Sequence, residues 1–360
     1  MIFDLPVKII EDEDCVIKNS KELAKLGKKA LVVTGRSSAK KCGAYDDVCE
    51  ALTKEGIAFE LFDEIEENPS VETIVKARDR YKDAGIKFVI GIGGGSPMDA
   101  AKAIAVLLCY LEEDGEFLYT AVPNGKTLPV VEIPTTCGTG SEVTKVSVLT
   151  RHNKKTKASI AHRYYPVLAL MDSKYLSKAP MSIITNTAID ALAHLVESDL
   201  NTNTTFFSRT VGADGYRLIA KEKDVLTGKR APEAEDFRNL MNASLFAGIS
   251  IAHAGTSLPH SLGYKLTYEL GVPHGPACAY FLTAYMKEVE KEESARILEL
   301  LGIADLDEFE AFLQAACLKG AKYDEAILRE SAEDVMANTA KLKNTPFTVT
   351  KEVLYRISGI

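Results

Sequence analysis

The placing of strand-like runs is what most limits the folds open to this chain. Short β-branched runs alternate with helical stretches through the first half, then stop. Ala30–Leu31–Val32–Val33–Thr34 ends at Gly35, and Ala58 to Phe62 follows. Lys87–Phe88–Val89–Ile90–Gly91–Ile92 runs into glycines, and Val130–Val131–Glu132–Ile133 ends at Pro134. Between them, Cys42 to Glu55 and Val71 to Ala84 carry apolar residues at helical spacing. Such alternation predicts βαβ units and a parallel sheet. Beyond about Leu176 the strand signals nearly vanish. Pro180 to Leu200, Thr210 to Ala220, Ala234 to Thr256 and Tyr285 to Leu301 read as helices. The expected organisation is an α/β domain over residues 1–176 and an all-helical domain over 177–360, and 360 residues suit two domains.

The net charge of −8 provides no basic footprint for nucleic acid or an anionic membrane. The longest wholly apolar run, Ala103 to Leu111, falls far short of the roughly 20 residues that span a bilayer. The start, MIFDLPVKIIEDEDC, has neither a basic nor an apolar signal region, so no signal peptide is expected. Seven cysteines without a CxxC pair fit free thiols in a reducing compartment. A cytoplasmic location is the expectation.

Two loops carry the chemistry of a phosphate ligand. Gly93–Gly94–Gly95–Ser96–Pro97–Met98–Asp99 follows a strand and opens a helix. Glycines let the backbone approach a diphosphate, and a helix N-terminus supplies free N–H donors and a positive dipole end. Ser96 suits the N-cap and Pro97 the first helical position. The second loop, Pro134–Thr135–Thr136–Cys137–Gly138–Thr139–Gly140–Ser141–Glu142, follows the next strand and suits a polar ligand across the sheet's carboxyl ends. Either loop taken alone is also compatible with a capped turn.

The histidines form a third group. Asp190 and His194 stand at i and i+4, so both project from one face of a helix that is otherwise apolar. His260 follows Pro259, and His274 follows Pro273. One carboxylate and three imidazoles can close around Zn²⁺ or Fe²⁺. The alternative is a structural Asp–His pair with two loop histidines. His253 reads as packed in its helix, and His152 and His162 as surface residues.

Together these stretches resemble the iron-containing (group III) alcohol dehydrogenase family. The resemblance rests on GGGSPMDAAKA from Gly93, PTTCGTGSEVT from Pro134, DALAHLVES from Asp190 and PHSLGYKLTYELGVPHG from Pro259. It implies a Rossmann-like dinucleotide-binding domain plus an all-α domain, the dehydroquinate synthase-like fold. It also implies Asp190, His194, His260 and His274 as metal ligands, with Fe²⁺ favoured and Zn²⁺ allowed. Gly93 to Asp99, Thr135, Thr136, Thr139 and Ser141 would face the nicotinamide dinucleotide, with Asn68 and Lys157. Many members carry a histidine four residues after the third ligand. Here that position is Tyr264, a poorer proton route because a phenol has a pKa near 10.

The implied activity is reversible hydride transfer between NADP(H) and a primary alcohol or aldehyde, with the metal polarising the substrate oxygen. NAD-preferring members commonly place Asp where Gly35 stands. A carboxylate there would repel a 2′-phosphate, whereas Gly35, Arg36, Ser37 and Ser38 offer room, a cation and hydroxyl donors. NADP(H) is therefore expected over NAD(H). Relatives in the family are often dimers, so a homodimer is compatible. The rivals are a metal- and NAD-dependent lyase of dehydroquinate synthase type, polyol oxidation as in glycerol dehydrogenases, and a non-catalytic nucleotide-binding protein. The lyase would need basic side chains near the metal, for which Lys265 is the main candidate.

Overall fold

A computed structural model of the chain describes residues 3–337 and 342–360. It divides into two compact units. One comprises Leu5–Thr136 and Ser141–Ala179; the other comprises the N-terminal residues through Asp4, Cys137–Gly140 and Pro180–Ile360.

The first unit is built on a six-stranded parallel sheet. Its strands are β1 (Lys8–Glu11), β2 (Lys29–Gly35), β3 (Ala58–Ile65), β4 (Phe88–Gly93), β5 (Val130–Pro134) and, after a separate hairpin, β8 (Leu168–Met171). The spatial order is β1-β8-β5-β4-β2-β3. The hairpin pairs β6 (Val148–Arg151) with β7 (Thr156–Ser159) in antiparallel register. Alternate residues of β2 feed two different apolar layers. Leu31 and Val33 pack with Ile74, Ala77 and Ile104, whereas Ala30 and Val32 pack with Val48, Leu52 and Leu170. A strand buried on both faces needs a near-continuous apolar run, as the interior strands β2 and β4 have. Each fully buried Val, Leu or Ile contributes about 1.5–3 kcal/mol.

After β3 the chain returns to the far side of β2 to form β4, so the strand order reverses between β2 and β4. In an open parallel sheet this is where a ligand crevice opens at the carboxyl ends. Gly35 ends β2 there, and Gly93 ends β4. The apolar run from Ala103 is buried and helical only through Leu107; its end, Leu108 to Leu111, lies beyond the helix, and Leu111 is exposed. Among the described residues, no helix is long and apolar enough to cross a membrane.

The second unit is helical. Its site-bearing helices are Met181–Asp199, Leu258–Leu270 and His274–Lys287, with Phe206–Lys221 and Ala234–Ala254 packed alongside. The stretch expected as one helix from Tyr285 to Leu301 is two, ending at Lys287 and resuming at Lys291. Ser294 Oγ donates to the Met286 carbonyl at 2.7 Å, satisfying a helix-end acceptor that a continuous helix would have paired internally. His162 is also corrected. It is buried, not on the surface, with Nε2 donating to the Phe117 carbonyl at 3.1 Å beside Tyr110 and Tyr164.

Candidate metal centre and coenzyme loop

Gly94, not Ser96, occupies the N-cap position of the Gly95–Leu107 helix, and no side chain caps it. Gly95 is already helical, and Met98 N–H reaches the Gly94 carbonyl at 3.4 Å. Pro97 is therefore the third helical residue and not the first. Ser96 makes a different bond: its Oγ accepts Asn68 N–H at 3.0 Å. Asn68 adopts φ 56°, in the left-handed region, and its Oδ1 accepts Lys157 Nζ at 2.7 Å. Ser96, Asn68 and Lys157 thus converge from three separate segments. A Cβ on Gly94 would lie 3.1 Å from Thr136 Oγ1, a tight contact with that side chain.

The other residues assigned to the coenzyme divide. Thr135 N–H donates to the Gly93 carbonyl at 2.9 Å, tying the two loops together. Asp99 and Ser141 face inward, with Ser141 Oγ donating to Asp99 at 2.6 Å and Lys102 Nζ donating to Ser141 Oγ at 2.6 Å. They brace the loop. Met98 is buried, and Thr139 belongs to the helical unit. After β2, Arg36, Ser37 and Ser38 are exposed. Lys40 is held by Asp63 at 2.7 Å.

Within the helical unit, a close approach of helices builds a candidate metal centre. A Cβ on Gly275 would lie 1.9 Å from the Asn186 carbonyl oxygen, so only glycine lets the His274 helix meet the Met181 helix here. This contact brings together Asp190, His260, His274 and Cys278, each offering a donor atom within 4.8 Å of the others. Asp190 Oδ1 and His260 Nε2 are buried without a hydrogen-bond partner, 3.5 Å apart. That is long for an N–H···O bond but close to the roughly 3.4 Å between two donors on one tetrahedral ion with bonds of about 2.1 Å. Two orphaned buried polar atoms are costly without a shared partner. The residues fit a divalent cation.

His194 lies beside this group. Its ring stacks on His260 at 4.3 Å, and its Nδ1 donates to the Gly138 carbonyl at 3.2 Å. Burial pulls His194 down to about 4, which keeps the imidazole neutral as a ligand requires. Asp190 is desolvated too, but the adjacent His194, His260 and His274 outweigh burial and hold its carboxyl below the usual range. Tyr264 lies flat on His274, with ring centroids 5.4 Å apart and planes 4° apart. Burial pushes its hydroxyl up to about 12, so it keeps its proton at neutral pH.

Two residues at the centre were not anticipated. Glu197 is fully buried and accepts the Nδ1 proton of His260. Asp190, His194 and Glu197 run i, i+4, i+7 along one helix face, a spacing that could have revealed it. Cys278 stands four residues after His274 on its helix, the same signal. Lys265 Nζ pairs with Glu330 and Asp334, at 3.1 and 3.4 Å. His253 is packed as expected, with Nδ1 donating to the Ile249 carbonyl at 2.7 Å and its ring stacked on Phe3.

Comparison with known proteins agrees with this architecture. The family model described as iron-containing alcohol dehydrogenase matches residues 6–173. The model for the C-terminal part of the Fe-containing alcohol dehydrogenase family matches residues 184–337. The long-chain primary alcohol dehydrogenase AdhA of Thermoanaerobacter ethanolicus is 35% identical over 295 residues, covering 79% of this chain and 70% of that one. The NADPH-dependent butanol dehydrogenase of Clostridium saccharobutylicum is 30% identical over 287 residues, covering 77% and 73%. A crystal structure of an iron-containing alcohol dehydrogenase from Thermotoga maritima superposes with TM-score 0.91 at 36% identity, covering 100% of this chain and 99% of that one. The chain belongs to the iron-containing alcohol dehydrogenase family and is an oxidoreductase acting on CH–OH groups.

Proposed function

We propose that the chain interconverts primary alcohols and aldehydes with NADP(H), using a divalent metal, Fe²⁺ ahead of Zn²⁺, held by Asp190, His194, His260 and His274. The carrying observation is the orphaned pair, Asp190 Oδ1 and His260 Nε2, 3.5 Å apart in a buried site. When bound, the metal supplies a Lewis acid for the substrate oxygen and the nicotinamide supplies the hydride chemistry. Asp190 contributes the negative charge that offsets a cation. Glu197 fixes the tautomer of His260 and turns its Nε2 toward Asp190. Tyr264 covers one face of His274, and its hydroxyl is the group at the position where many members carry a proton-relaying histidine.

For the coenzyme, the uncapped start of the Gly95–Leu107 helix offers backbone N–H groups to the diphosphate. Gly94 leaves the surface beside Thr136 open, and Lys157 adds a cation next to Asn68. Gly35 lacks the carboxylate that would repel a 2′-phosphate, and Arg36 stands exposed beside it. Lys40 is committed to Asp63, so selectivity falls on Arg36, Ser37 and Ser38. The name of the C. saccharobutylicum relative, an NADPH-dependent enzyme, supports the same choice. Seven free cysteines suit a reducing, cytoplasmic setting.

The test is kcat/KM for butyraldehyde reduction with NADPH and with NADH, after loading with Fe²⁺ or Zn²⁺. Preference for NADPH and strict metal dependence are expected. A preference for NADH overturns the coenzyme assignment. Full stoichiometric metal in Asp190→Ala overturns the ligand assignment.

A further inference from the structure

Lys102 is only 4% exposed, and its ammonium is committed to the segment that follows the Thr-rich loop. Its Nζ donates to the Ser141 carbonyl at 2.6 Å, to Ser141 Oγ at 2.6 Å and to the Val146 carbonyl at 2.9 Å. Three residues earlier on the same helix, Asp99 accepts Val148 N–H on Oδ2 at 2.7 Å and Ser147 Oγ on its carbonyl at 2.8 Å. Val148 opens β6, so these bonds set where the β6–β7 hairpin leaves the helix. Within the hairpin, Thr150 and Lys157 are cross-strand partners, and both hold Asn68. Thr150 Oγ1 donates to the Asn68 carbonyl at 2.8 Å, and Lys157 Nζ donates to its Oδ1 at 2.7 Å. Asn68 N–H then returns to Ser96 Oγ, on the first turn of the helix that carries Asp99 and Lys102. The bonds close a ring.

We propose that Lys102 is a positioning residue for the coenzyme: by fixing residues 141–148 it sets the hairpin, and the hairpin places Lys157 and Asn68 beside the diphosphate-binding start of the helix. This rests on the coenzyme reading above. One ammonium offers three donors from a single atom, which matches two carbonyls and a hydroxyl. Without it the Ser141 and Val146 carbonyls lose a buried partner, and the segment has to shift to regain one. Asn68 feels that shift most, because its left-handed conformation at φ 56° persists only where its surroundings hold it. Lys102 thus acts on the coenzyme through the hairpin and makes no contact with it.

The test is Lys102→Met, read by titration with NADPH and NADH, steady-state kinetics and zinc uptake. Coenzyme binding is expected to weaken at least about tenfold, with KM for the coenzyme rising and kcat changing by no more than about twofold. Zinc taken up per chain should match the wild type, since the metal is held in the helical unit. Amide hydrogen exchange should quicken in β6 and β7. Wild-type coenzyme affinity in a folded Lys102→Met overturns the proposal even if Tm falls, because the brace would then serve stability alone. Lys102→Met also removes the cation facing the buried carboxyls of Asp99, Glu132 and Glu142, so Ser147→Ala is the second variant. It takes one hydroxyl from the same brace and should weaken coenzyme binding about threefold or more. Unchanged affinity there also overturns the proposal. Asn68→Ala separates the two readings. Affinity lost in Asn68→Ala but kept in Lys102→Met leaves the coenzyme contact standing and overturns the brace. Affinity kept in both overturns the placing of the coenzyme beside the hairpin as well.

Discussion

Glu197 accepts the Nδ1 proton of His260 although 63 residues separate them in sequence. The same carboxylate accepts Ser257 N–H at 2.6 Å and His260 N–H at 3.2 Å, at the start of the Leu258–Leu270 helix. A buried anion at a helix N-terminus meets free N–H donors and the positive dipole end. One acid therefore sets both where this helix begins and which way the imidazole turns. Its Nε2 is left facing Asp190.

Glu197→Gln keeps the volume and removes the charge. The expected result is a ten- to hundredfold loss of metal affinity, the usual scale for an outer partner of a ligating histidine. Competition with a chelator measures it. Unchanged affinity would show that helix packing alone orients His260.

Gly275→Ala places a methyl 1.9 Å from the Asn186 carbonyl oxygen, a backbone atom that cannot step aside alone. The His274 and Met181 helices must separate. Denaturant unfolding should register a loss of about 1–3 kcal/mol or more, with metal content falling in parallel. Wild-type stability and full metal in this variant would refute the close approach.

Gly35→Asp should fold normally, since a Cβ there meets the Ile65 carbonyl oxygen at 3.5 Å, an ordinary contact. The added carboxylate repels a 2′-phosphate and accepts from ribose hydroxyls. Selectivity, read as the ratio of kcat/KM values, should move toward NAD(H) by at least tenfold, about 1.4 kcal/mol. An unmoved ratio would place the selectivity elsewhere.

Glu132 lies in the middle of β5 with neither carboxyl oxygen hydrogen-bonded, and burial pushes its pKa well above the ordinary 4.5. Because its pKa is raised on folding, the folded chain keeps this proton to a higher pH than the unfolded chain does, and folding takes up a proton in the interval between the two. Its contribution to stability is complete below about pH 4.5 and is lost as pH rises toward the raised folded value. Glu142, pushed up to about 7 by burial, has the same sign and stays in both proteins. Tm of the wild type should therefore fall more steeply between pH 5 and pH 8 than that of Glu132→Gln, with the variant the more stable at pH 8. The slopes can differ by at most about 1.4 kcal/mol per pH unit. Parallel curves would mean that Glu132 is solvated in solution.

Local pattern carried much of this protein. β-branched runs ending in Gly35, Gly93 and Pro134 mark three strands of the parallel sheet, because a strand buried on both faces has to be apolar throughout. The i, i+4 spacing of Asp190 and His194 puts both on one face of the Met181–Asp199 helix whatever surrounds it. Three short strands escaped notice: β1, with only two apolar residues, and β6 and β7, since Arg151, Lys157 and their neighbours show no alternation of apolar and polar residues.

Long-range contacts decided the rest. Helical spacing brings Cys278 near His274, but only the approach at Gly275 carries that pair to Asp190, and only Glu197 aims His260 at the same point. The Thr-rich segment shows the same limit. It reads as one loop, yet Thr135 and Thr136 stay with the sheet while Cys137 to Gly140 join the helices, where the Gly138 carbonyl receives His194. A sequence fixes periodicity within an element, because that follows from backbone geometry over a few residues. Which elements meet, and at what distance, depends on a close-packed interior where one added methyl or one unpaired carboxylate changes the answer.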